Sequence, residues 1–446
     1  MLVTADLEAN MLIGRLSIVC VALATLLGGD LAYSQTKETV LYSFGTNGGT
    51  SDGWAPSGAL IFDSAGNMYG ATSAGGGNLS NNCPNGCGTV FELSPISGGG
   101  WSESILHAFA EGEDGVSPLS GLVFDTQGNL YGTTVGLGGD CQPPDCGTVF
   151  ELSPTLDGAW TETTLYSFTG FPDGYEPLAP VTFDAQGNLF GTTSSGGANN
   201  VGTVFELSPP SFPGGNWSET IVYSFCQAGG EDKCSDGAIP YGGVVLDGAG
   251  NLYGTTLLGG TQPKWGVVYE LTPTLGGGTW TESVLHNFNG TDGGEPEAGL
   301  SFDEGNLYGT VSSGGLSGSS CLEEQYPPYS LVCGGAFRLT PKVNGGWSAN
   351  SFLFQGKNGG NPQAGLSMNG TSAFGTTFRG GTYGRGTVFS IVGNGNEKVL
   401  HSFCQVFPKC YDGTEPAGVT LNGGVIYGIT QYGGVYDQGV VFSIEQ

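Results

Sequence analysis

The sequence is poor in charge, and above all in positive charge. Only 11% of its 446 residues are Asp, Glu, Lys or Arg, against about 25% in an average protein, and 11 Lys and Arg face 40 Asp and Glu. The net charge of −29 excludes nucleic acid as a partner, because neutralising phosphates requires clustered Lys and Arg. A hydrophobic share of 38% is too high for a disordered chain, so the sequence predicts a folded, acidic protein.

Long apolar runs are also missing. The strongest run, residues 16–27, is shorter than the roughly 20 residues that a membrane-spanning helix needs. Arg15 precedes this run and Ala32-Tyr33-Ser34 follows it, which is the arrangement of a secretory signal peptide covering residues 1–34; Met11 is an alternative start to Met1. We therefore expect a protein that is secreted or periplasmic, with no membrane span after signal removal and a single mature domain at 35–446.

Helical periodicity is absent from the mature chain, whereas four short phrases recur seven times. In the second unit they are Gly-Leu-Val-Phe-Asp (121–125), Asn-Leu-Tyr-Gly-Thr-Thr (129–134), Gly-Thr-Val-Phe-Glu-Leu (147–152) and Trp-Thr-Glu-Thr-Thr-Leu-Tyr-Ser-Phe (160–168). Each is rich in β-branched and aromatic residues and bounded by Gly, Asn, Pro or Asp, which is typical of a strand. We name these strands a, b, c and d. Asp-x-x-Gly-Asn between a and b predicts a tight hairpin turn.

Seven four-stranded units in series predict an all-β fold, a seven-bladed β-propeller with antiparallel blades. The chain ends support a closed ring. It opens with an isolated d phrase, residues 38–44, and its last unit stops after a c phrase, residues 439–444. We expect the N-terminal strand to join the last blade and so to protect the edges that an open array would expose.

The repeat resembles the GloVer tandem repeat of exported bacterial proteins over essentially all of the mature chain. The residues that carry this resemblance are Asp-x-x-Gly-Asn-Leu-Tyr-Gly-Thr-Thr, a Gly-Gly pair and Gly-Thr-Val-Phe-Glu-Leu. Pro before strand a and the Asp-x-x-Gly-Asn turn also resemble blades of NHL-type propellers. The resemblance implies a propeller with strand a innermost, and it implies no catalytic residues. Members often carry a C-terminal surface anchor, whereas this sequence stops at Gln446.

Ten mature cysteines fall into five close pairs, which predict five local disulfides in an oxidising compartment. Zinc is a weaker interpretation, because there is no Cys-x-x-Cys pair. Each bridge would stiffen one loop and contribute roughly 2–3 kcal/mol through loop closure. The pairs are Cys83/Cys87, Cys141/Cys146, Cys226/Cys234, Cys321/Cys333 and Cys404/Cys410.

One face of the predicted propeller differs from blade to blade. In an antiparallel blade the b–c and d–a loops lie on one face, here called the variable face, and these loops are long, irregular and rich in aromatics. Varied loops on a repetitive framework are where repeat folds carry binding sites. The five Trp that open strand d are structural by repetition, whereas Trp54 and Trp265 break the repeat. Our ligand-binding candidates on this face are Trp54, Tyr175, Trp265, Arg379, Tyr383 and Arg385.

An Asp-Gly pair recurs just before strand a. If strand a is innermost, these carboxylates would ring the channel mouth and could hold Ca²⁺, which prefers oxygen ligands; the alternative is an ordinary turn signal. No other cofactor is indicated. The residues of this predicted metal site are Asp52, Asp114, Asp173, Asp236, Asp292 and Asp412.

Two functions stay open. The first is a non-catalytic binding or scaffold protein, monomeric, whose ligand on the variable face is a polysaccharide, neutral or carboxylate-bearing, or another cell-surface ligand. The second is a glycan-active or lactone-type hydrolase that uses carboxylates at the channel mouth, with or without Ca²⁺. His-based catalysis is disfavoured, since His107, His286 and His401 occupy a strand d position that is Tyr in other units. An acid pair found in one unit alone would favour the hydrolase.

Overall fold

The computed structural model describes residues 37–46, 51–136, 146–212, 214–227, 234–261, 265–274, 278–315, 333–393 and 395–446. Within these ranges the chain forms strands and loops and no helix, so the predicted all-β class is confirmed. The signal-peptide prediction, residues 1–34, lies outside them. The propeller comprises Glu38–Gln446.

Seven antiparallel four-stranded sheets form the blades, each in the order a-b-c-d. Blade 1 contains β2 (Gly53–Phe62), β3 (Met68–Gly75), β4 (Thr89–Pro95) and β5 (Trp101–Ala108); blade 2 contains β6 (Val123–Phe124), β7 (Leu130–Thr134), β8 (Thr148–Pro154) and β9 (Trp160–Ser167). Blade 3 contains β11 (Thr182–Phe183), β12 (Leu189–Thr193), β14 (Thr203–Ser208) and β15 (Ser218–Ser224), and a small ribbon beside it pairs β10 (Gly174–Tyr175) with β13 (Ser195–Gly196).

The second half repeats the same order. Blade 4 contains β16 (Val245–Leu246), β17 (Leu252–Thr256), β18 (Val267–Pro273) and β19 (Trp280–Asn287); blade 5 contains β20 (Ser301–Asp303), β21 (Asn306–Val311), β22 (Gly335–Pro341) and β23 (Trp347–Leu353). Blade 6 contains β24 (Ser367–Asn369), β25 (Ser372–Thr377), β26 (Thr387–Val392) and β27 (Asn396–Ser402); blade 7 contains β28 (Thr414–Asn422), β29 (Val425–Tyr432), β30 (Val440–Glu445) and β1 (Glu38–Ser43).

The ring closes as the chain ends predict. β1 pairs antiparallel with β30, with Glu38 opposite Ile444 and Ser43 opposite Val440, so blade 7 has one N-terminal and three C-terminal strands. Phe44, directly after β1, is fully buried against Phe91 of blade 1, with ring centroids 5.1 Å apart. The closing strand therefore completes a blade and also packs against the next one.

The Tyr-Gly motif of strand b reflects packing against strand c. A Cβ atom on Gly70 would lie 2.6 Å from Cζ of Phe91, and one on Gly132 would lie 2.6 Å from Cζ of Phe150. Both rings are fully buried. Only glycine leaves room for the tip of the strand c ring against strand b, which is why Tyr-Gly and Val-Phe recur together.

The a–b hairpins follow the predicted chemistry. Asp63 Oδ1 accepts hydrogen bonds from the backbone N–H of Ala65 and Asn67, both at 2.9 Å, and Oδ2 accepts from the Asn67 side chain at 2.8 Å. Gly66 supplies the positive φ of 89° that the turn requires. The same bonds recur at Asp125, Asp184 and Asp247.

Much of the core lies at the contacts between neighbouring blades. The Trp that opens strand d packs against the strand b aromatic of the preceding blade, for example Trp160 on Tyr69 and Trp347 on Tyr253, with both centroid distances at 6.3 Å. At the inner edge, a Cβ on Gly88 would lie 2.5 Å from Cδ of Pro118 in the next blade. Gly439 and Pro56 make the same contact across the closure.

Candidate functional site

Strand a of all seven blades lines the central channel, so the expectation that strand a is innermost holds. The channel contains a cavity of about 500 Å³. Its wall is built from small residues, and a Cβ on Gly58 of blade 1 would lie 2.4 Å from the backbone nitrogen of Gly121 in blade 2. Few side chains therefore reach into the channel, and those at its mouth decide its chemistry.

A strained residue precedes the proline at the start of strand a in every blade. All seven residues have left-handed φ angles of 52° to 58°, although none is glycine and Pro follows each. Such a conformation costs of order 1–3 kcal/mol per residue. The residues are Ala55, Ser117, Glu176, Ile239, Glu295, Asn361 and Glu415.

A hydrogen bond between blades explains this strain. Each of the seven residues donates its N–H to a carbonyl in the b–c loop of the preceding blade, over 2.8 to 3.2 Å. Three acceptors belong to Cys87, Cys146 and Cys333, so disulfide-bonded loops hold them in place. The same hydrogen bond therefore links every pair of neighbouring blades, and between blades 7 and 1 it joins Ala55 to Gln438. This bond also fixes where the residue after the proline points.

That residue lines the cavity in all seven blades, and its chemistry divides the channel mouth into two walls. Blades 1, 2, 3 and 7 supply only small or apolar side chains, apart from the hydroxyl of Ser57, whose donor bond goes to the carbonyl of Pro118. Blades 4, 5 and 6 supply Tyr241, Glu297 and Gln363. The first wall contains Ser57, Leu119, Leu178 and Ala417, and we call Tyr241, Glu297 and Gln363 the polar wall.

Two groups of the polar wall, the Glu297 carboxyl and the Tyr241 hydroxyl, have raised pKa values. Burial raises the pKa of the Glu297 carboxyl, hydrogen bonds from Ser312 and Gln363 offset part of this, and the nearby Glu295 raises the pKa further. Burial also raises the pKa of the Tyr241 hydroxyl, with Glu297 and Glu176 adding to the shift. Tyr241 is 36% exposed, so its ring is available to a molecule in the mouth.

Three strained residues carry carboxylates that are fixed by their neighbours. Glu176 Oε2 accepts hydrogen bonds from the hydroxyls of Ser194 and Ser195 at 3.1 and 3.3 Å. Ser313 donates to Glu295, and Arg379 Nη1 lies 2.8 Å from Glu415 Oε1. Blade 5 alone has Glu on both sides of its proline, at 295 and 297. The sequence contains this signal, but its position at the channel mouth emerges only when the seven tripeptides are aligned.

The predicted ligand-binding residues are spread over several loops. Trp265 lies over the d–a loop that leads into blade 5, here called its entry loop. Cβ atoms on Gly290 and Gly294 of this loop would each fall 2.4 Å from the Trp265 ring. Trp54 is half-buried in β2. The Tyr175 hydroxyl donates to Asn200 at 3.2 Å. Contacts within the protein thus occupy part of each of these three side chains, and ligand binding by them remains a prediction.

The remaining three candidates come from one loop of blade 6. Arg379 lies 4.9 Å from the Phe378 ring centroid and is ion-paired with Glu415, while Arg385 accepts the Glu415 N–H through its carbonyl. Tyr383 is 48% exposed at the loop tip. The structure therefore gathers Arg379 and Arg385 around Glu415, and Trp265 belongs to a different blade.

The repeated Asp residues are not at the channel mouth, contrary to the expectation. Each lies beside strand d, the outermost strand, and bonds its Tyr or His: Tyr166 donates to Asp173 at 3.0 Å, and His107 Nε2 lies 2.8 Å from Asp114 Oδ1. Backbone N–H groups of the loop also donate to these carboxylates; the Gly45 N–H, for example, donates to Oδ2 of Asp52 at 2.7 Å. No three acidic, His or Cys side chains in the described ranges are grouped to hold a metal, so calcium binding remains a prediction from sequence.

Three predicted disulfides are present, Cys83–Cys87, Cys226–Cys234 and Cys404–Cys410. Cys146 and Cys333 are also disulfide-bonded, whereas Cys141 and Cys321 lie outside the described residues. In the parts of the chain that the structure covers, no helix is long and apolar enough to cross a membrane.

The chain belongs to the family described as the Gloeobacter/Verrucomicrobia repeat, which it matches over residues 30–235, 76–322 and 220–442. The resemblance read from the repeat phrases is thereby confirmed. No curated protein matches the chain.

Two solved structures match the chain at low similarity. One is PorZ, an essential bacterial surface component of the type-IX secretion system of Porphyromonas gingivalis, with 14% identity and a TM-score of 0.46. That match covers 86% of this chain and 46% of PorZ, so this chain spans about half of that protein's length. The other is the periplasmic gluconolactonase PpgL of Pseudomonas aeruginosa, with 14% identity, a TM-score of 0.47 and coverage of 80% and 92%. At these low values neither likeness bears on function.

Proposed function

We propose that the protein is a non-catalytic binding protein that holds a neutral carbohydrate in the mouth of its channel on the variable face. The observation that carries the proposal is the division of the mouth into a polar wall (Tyr241, Glu297, Gln363) and an apolar wall that includes Leu119 and Leu178. Binding pockets are typically apolar with a few placed polar groups. The cavity of about 500 Å³ combines both features.

The chemistry of the polar wall fits a sugar ring. A carboxylate and an amide each bond hydroxyl groups in a planar geometry, and the Tyr241 ring offers a flat partner to the apolar C–H face of a sugar. The nearby Glu176, Glu295 and Glu297 repel anionic ligands in a low-dielectric mouth, so a neutral sugar is favoured over a uronic acid. Serine hydroxyls fix Glu176 and Glu295, whereas Glu297 and Gln363, which are hydrogen-bonded to each other, both line the cavity where a sugar hydroxyl can join their bond.

The experiment is calorimetric titration with the neutral sugars that a glycan array identifies. Tyr241→Ala should weaken binding by roughly 1–3 kcal/mol, the range for loss of one stacked ring. Glu297→Gln should also weaken it, because it replaces an acceptor by a mixed donor and acceptor. The matched control is Glu304→Gln, on an a–b turn of the same blade, which should bind as wild type. Wild-type affinity in Glu297→Gln and Tyr241→Ala, or no neutral sugar bound at all, would refute the proposal.

A hydrolase is the second candidate, and the acid pair of blade 5 favours it. The Glu297 carboxyl has a raised pKa, as a general acid needs, and Glu295 is adjacent. In that case Glu297→Gln should retain sugar binding and abolish release of reducing ends. Assaying the array hits for turnover separates the two functions.

We also propose that the protein acts outside the cytoplasm. Disulfides closed within single loops are typical of exported proteins, and both predicted addresses, extracellular and periplasmic, are oxidising. Fractionation of the native cells, with detection of the mature chain beginning near Gln35, tests this proposal.

A further inference from the structure

The loops of blade 7 on the variable face expose an unusual number of large apolar and aromatic side chains. Phe407 is 72% exposed and Tyr436 is 52% exposed. In the other blades, as far as the structure describes these loops, exposed side chains of this kind occur singly: Leu79, Leu119, Phe171, Tyr241 and Tyr383. We call these residues the blade-7 patch: Val406, Phe407, Tyr411, Tyr432, Val435 and Tyr436.

The patch is one surface, because hydrogen bonds join its two loops. The N–H of Gly434 donates to the carbonyl of Cys410 at 2.9 Å, and the N–H of Cys410 donates to the carbonyl of Val406 at 2.9 Å. The Cys404–Cys410 disulfide closes the entry loop. The rings are therefore presented by tied loops, which lowers the entropy cost of ordering them on a ligand.

The patch is continuous with the channel mouth. Gln431 lines the cavity, and the next residue, Tyr432, begins the patch. Tyr432 stands opposite Thr414 in the β28–β29 pairing, two residues before Pro416 of the cavity wall. A chain-like ligand that leaves the mouth on this side would reach Tyr432 first and, further out along blade 7, Tyr436, whose Cβ lies beside Gly45 just after β1.

The chemistry of the patch fits sugar rings. Three of its six side chains are tyrosines, each a flat apolar ring with a hydroxyl at its tip. Nζ of Lys409 lies 5.7 Å from the Tyr411 ring centroid, so this cation makes a cation–π contact within the protein. The net charge of −29 opposes pairing with a second copy of the chain.

We infer that the blade-7 patch is a subsite for the outer units of a polysaccharide whose end or branch lies in the channel mouth. This inference rests on the proposed function and narrows its ligand from a small sugar to a polymer. The mouth recognises the sugar through polar groups, and the patch adds stacking contacts that only a longer chain reaches. Affinity should therefore rise with chain length.

The test uses two lengths, about two and about six units, of cello-, manno-, xylo- and chito-oligosaccharides, titrated against wild type and the double variant Tyr411→Ala/Tyr436→Ala. The double variant should lose at least about tenfold in affinity for the longer member of the bound series, the equivalent of one stacked ring, and nothing for the shorter one. Phe171→Ala is the control, since Phe171 is 64% exposed on the variable face of blade 3. It should bind both lengths as wild type.

The outcomes separate the two claims. Equal affinity of wild type for both lengths, or full retention by the double variant, overturns the inference and leaves the patch to a protein partner, while the mouth still stands if Glu297→Gln loses both lengths. Loss of both lengths in the double variant also overturns it. Full retention by both Glu297→Gln and Tyr241→Ala with length-dependent loss in the double variant refutes the channel mouth and leaves the patch as a sugar-binding surface by itself.

Discussion

Nε2 of His401 lies 3.1 Å from Oδ2 of Asp412, in the place where the Tyr223 hydroxyl donates to Oδ2 of Asp236 at 2.9 Å. Tyr or His stands at this position of strand d in six units, and each time Asp follows in the d–a loop. Where strand d has Phe352, the loop has Asn358, whose amide donates to Glu397. The two positions change together because a buried carboxylate needs a donor and Phe supplies none.

This pairing predicts how strand d tolerates exchange. His286→Tyr should keep a donor for Asp292, 3.0 Å away in the native chain, and stay within about 0.5 kcal/mol of wild type. His286→Phe leaves Asp292 without its side-chain donor and should cost about 1–2 kcal/mol. Urea unfolding of both variants measures the difference. Equal stability of the two would show that the hydrogen bond does not matter.

Half-buried glutamates beside these pairs make stability depend on pH. Burial raises the pKa of Glu38, Glu219, Glu282 and Glu397 to about 7, and neighbouring Asp412, Asp173 and Asp236 add to the shift of the first three. A carboxyl that holds its proton more tightly when folded stabilises the fold fully below the unfolded pKa of about 4.5 and loses this contribution as the pH rises through about 7.

The melting temperature should therefore be higher at pH 5 than at pH 8, by on the order of 2–4 °C after allowance for the partial exposure of these carboxyls. Glu282→Gln should flatten part of the slope, since Gln does not titrate. Glu304→Gln, on an exposed turn, should leave the slope unchanged. A melting temperature that rises from pH 5 to pH 8 would contradict the assignment.

Local patterns in the sequence predict the strands, the hairpin turns and the ring closure, because each of these depends on residues close in the chain or on a counted repeat. Whether Trp265 is covered depends on Gly290 and Gly294 of the next blade, and the sequence shows no link between them. The Asp-Gly ring was placed wrongly because its partners, such as Tyr42 and His286, lie on strand d and not on strand a.

The sequence does not reveal the polar wall for a related reason. In the sequence each of its three residues simply follows a proline, and only the fold brings Tyr241, Glu297 and Gln363 together around one channel. The strained residue before the proline was equally hidden, since left-handed φ is disfavoured for side-chain-bearing residues before proline and only the bond between blades compensates for it.

Close packing of strands b and c predicts the effect of a single methyl group. Gly132→Ala places a Cβ 2.6 Å from Phe150 and 2.9 Å from Leu122, both fully or nearly fully buried, and should destabilise by about 1–3 kcal/mol. Gly248→Ala, where the added Cβ meets nothing within 4 Å, should be close to neutral. Thermal unfolding of the two variants makes the comparison, and similar losses would argue against the b–c contact.

The disulfide prediction reaches beyond the described residues. Three bridges within single loops are present, and Cys146 and Cys333 are also bonded. Peptide mapping without reduction should therefore yield Cys141–Cys146 and Cys321–Cys333 besides the other three. A peptide that links cysteines of two different blades would contradict this pairing.

Ring closure predicts the result of an N-terminal truncation. Deleting residues 35–46 removes β1 and Phe44, which exposes the edge of β30 and uncovers Phe91. An unpaired strand edge beside an apolar surface promotes self-association, so the truncated protein should melt at a lower temperature and form oligomers in light scattering. Deleting only residues 35–37, before the strand begins, is the control and should leave both properties unchanged. A monomeric protein with the wild-type melting temperature after the longer deletion would mean that the N-terminal strand does not hold the ring together.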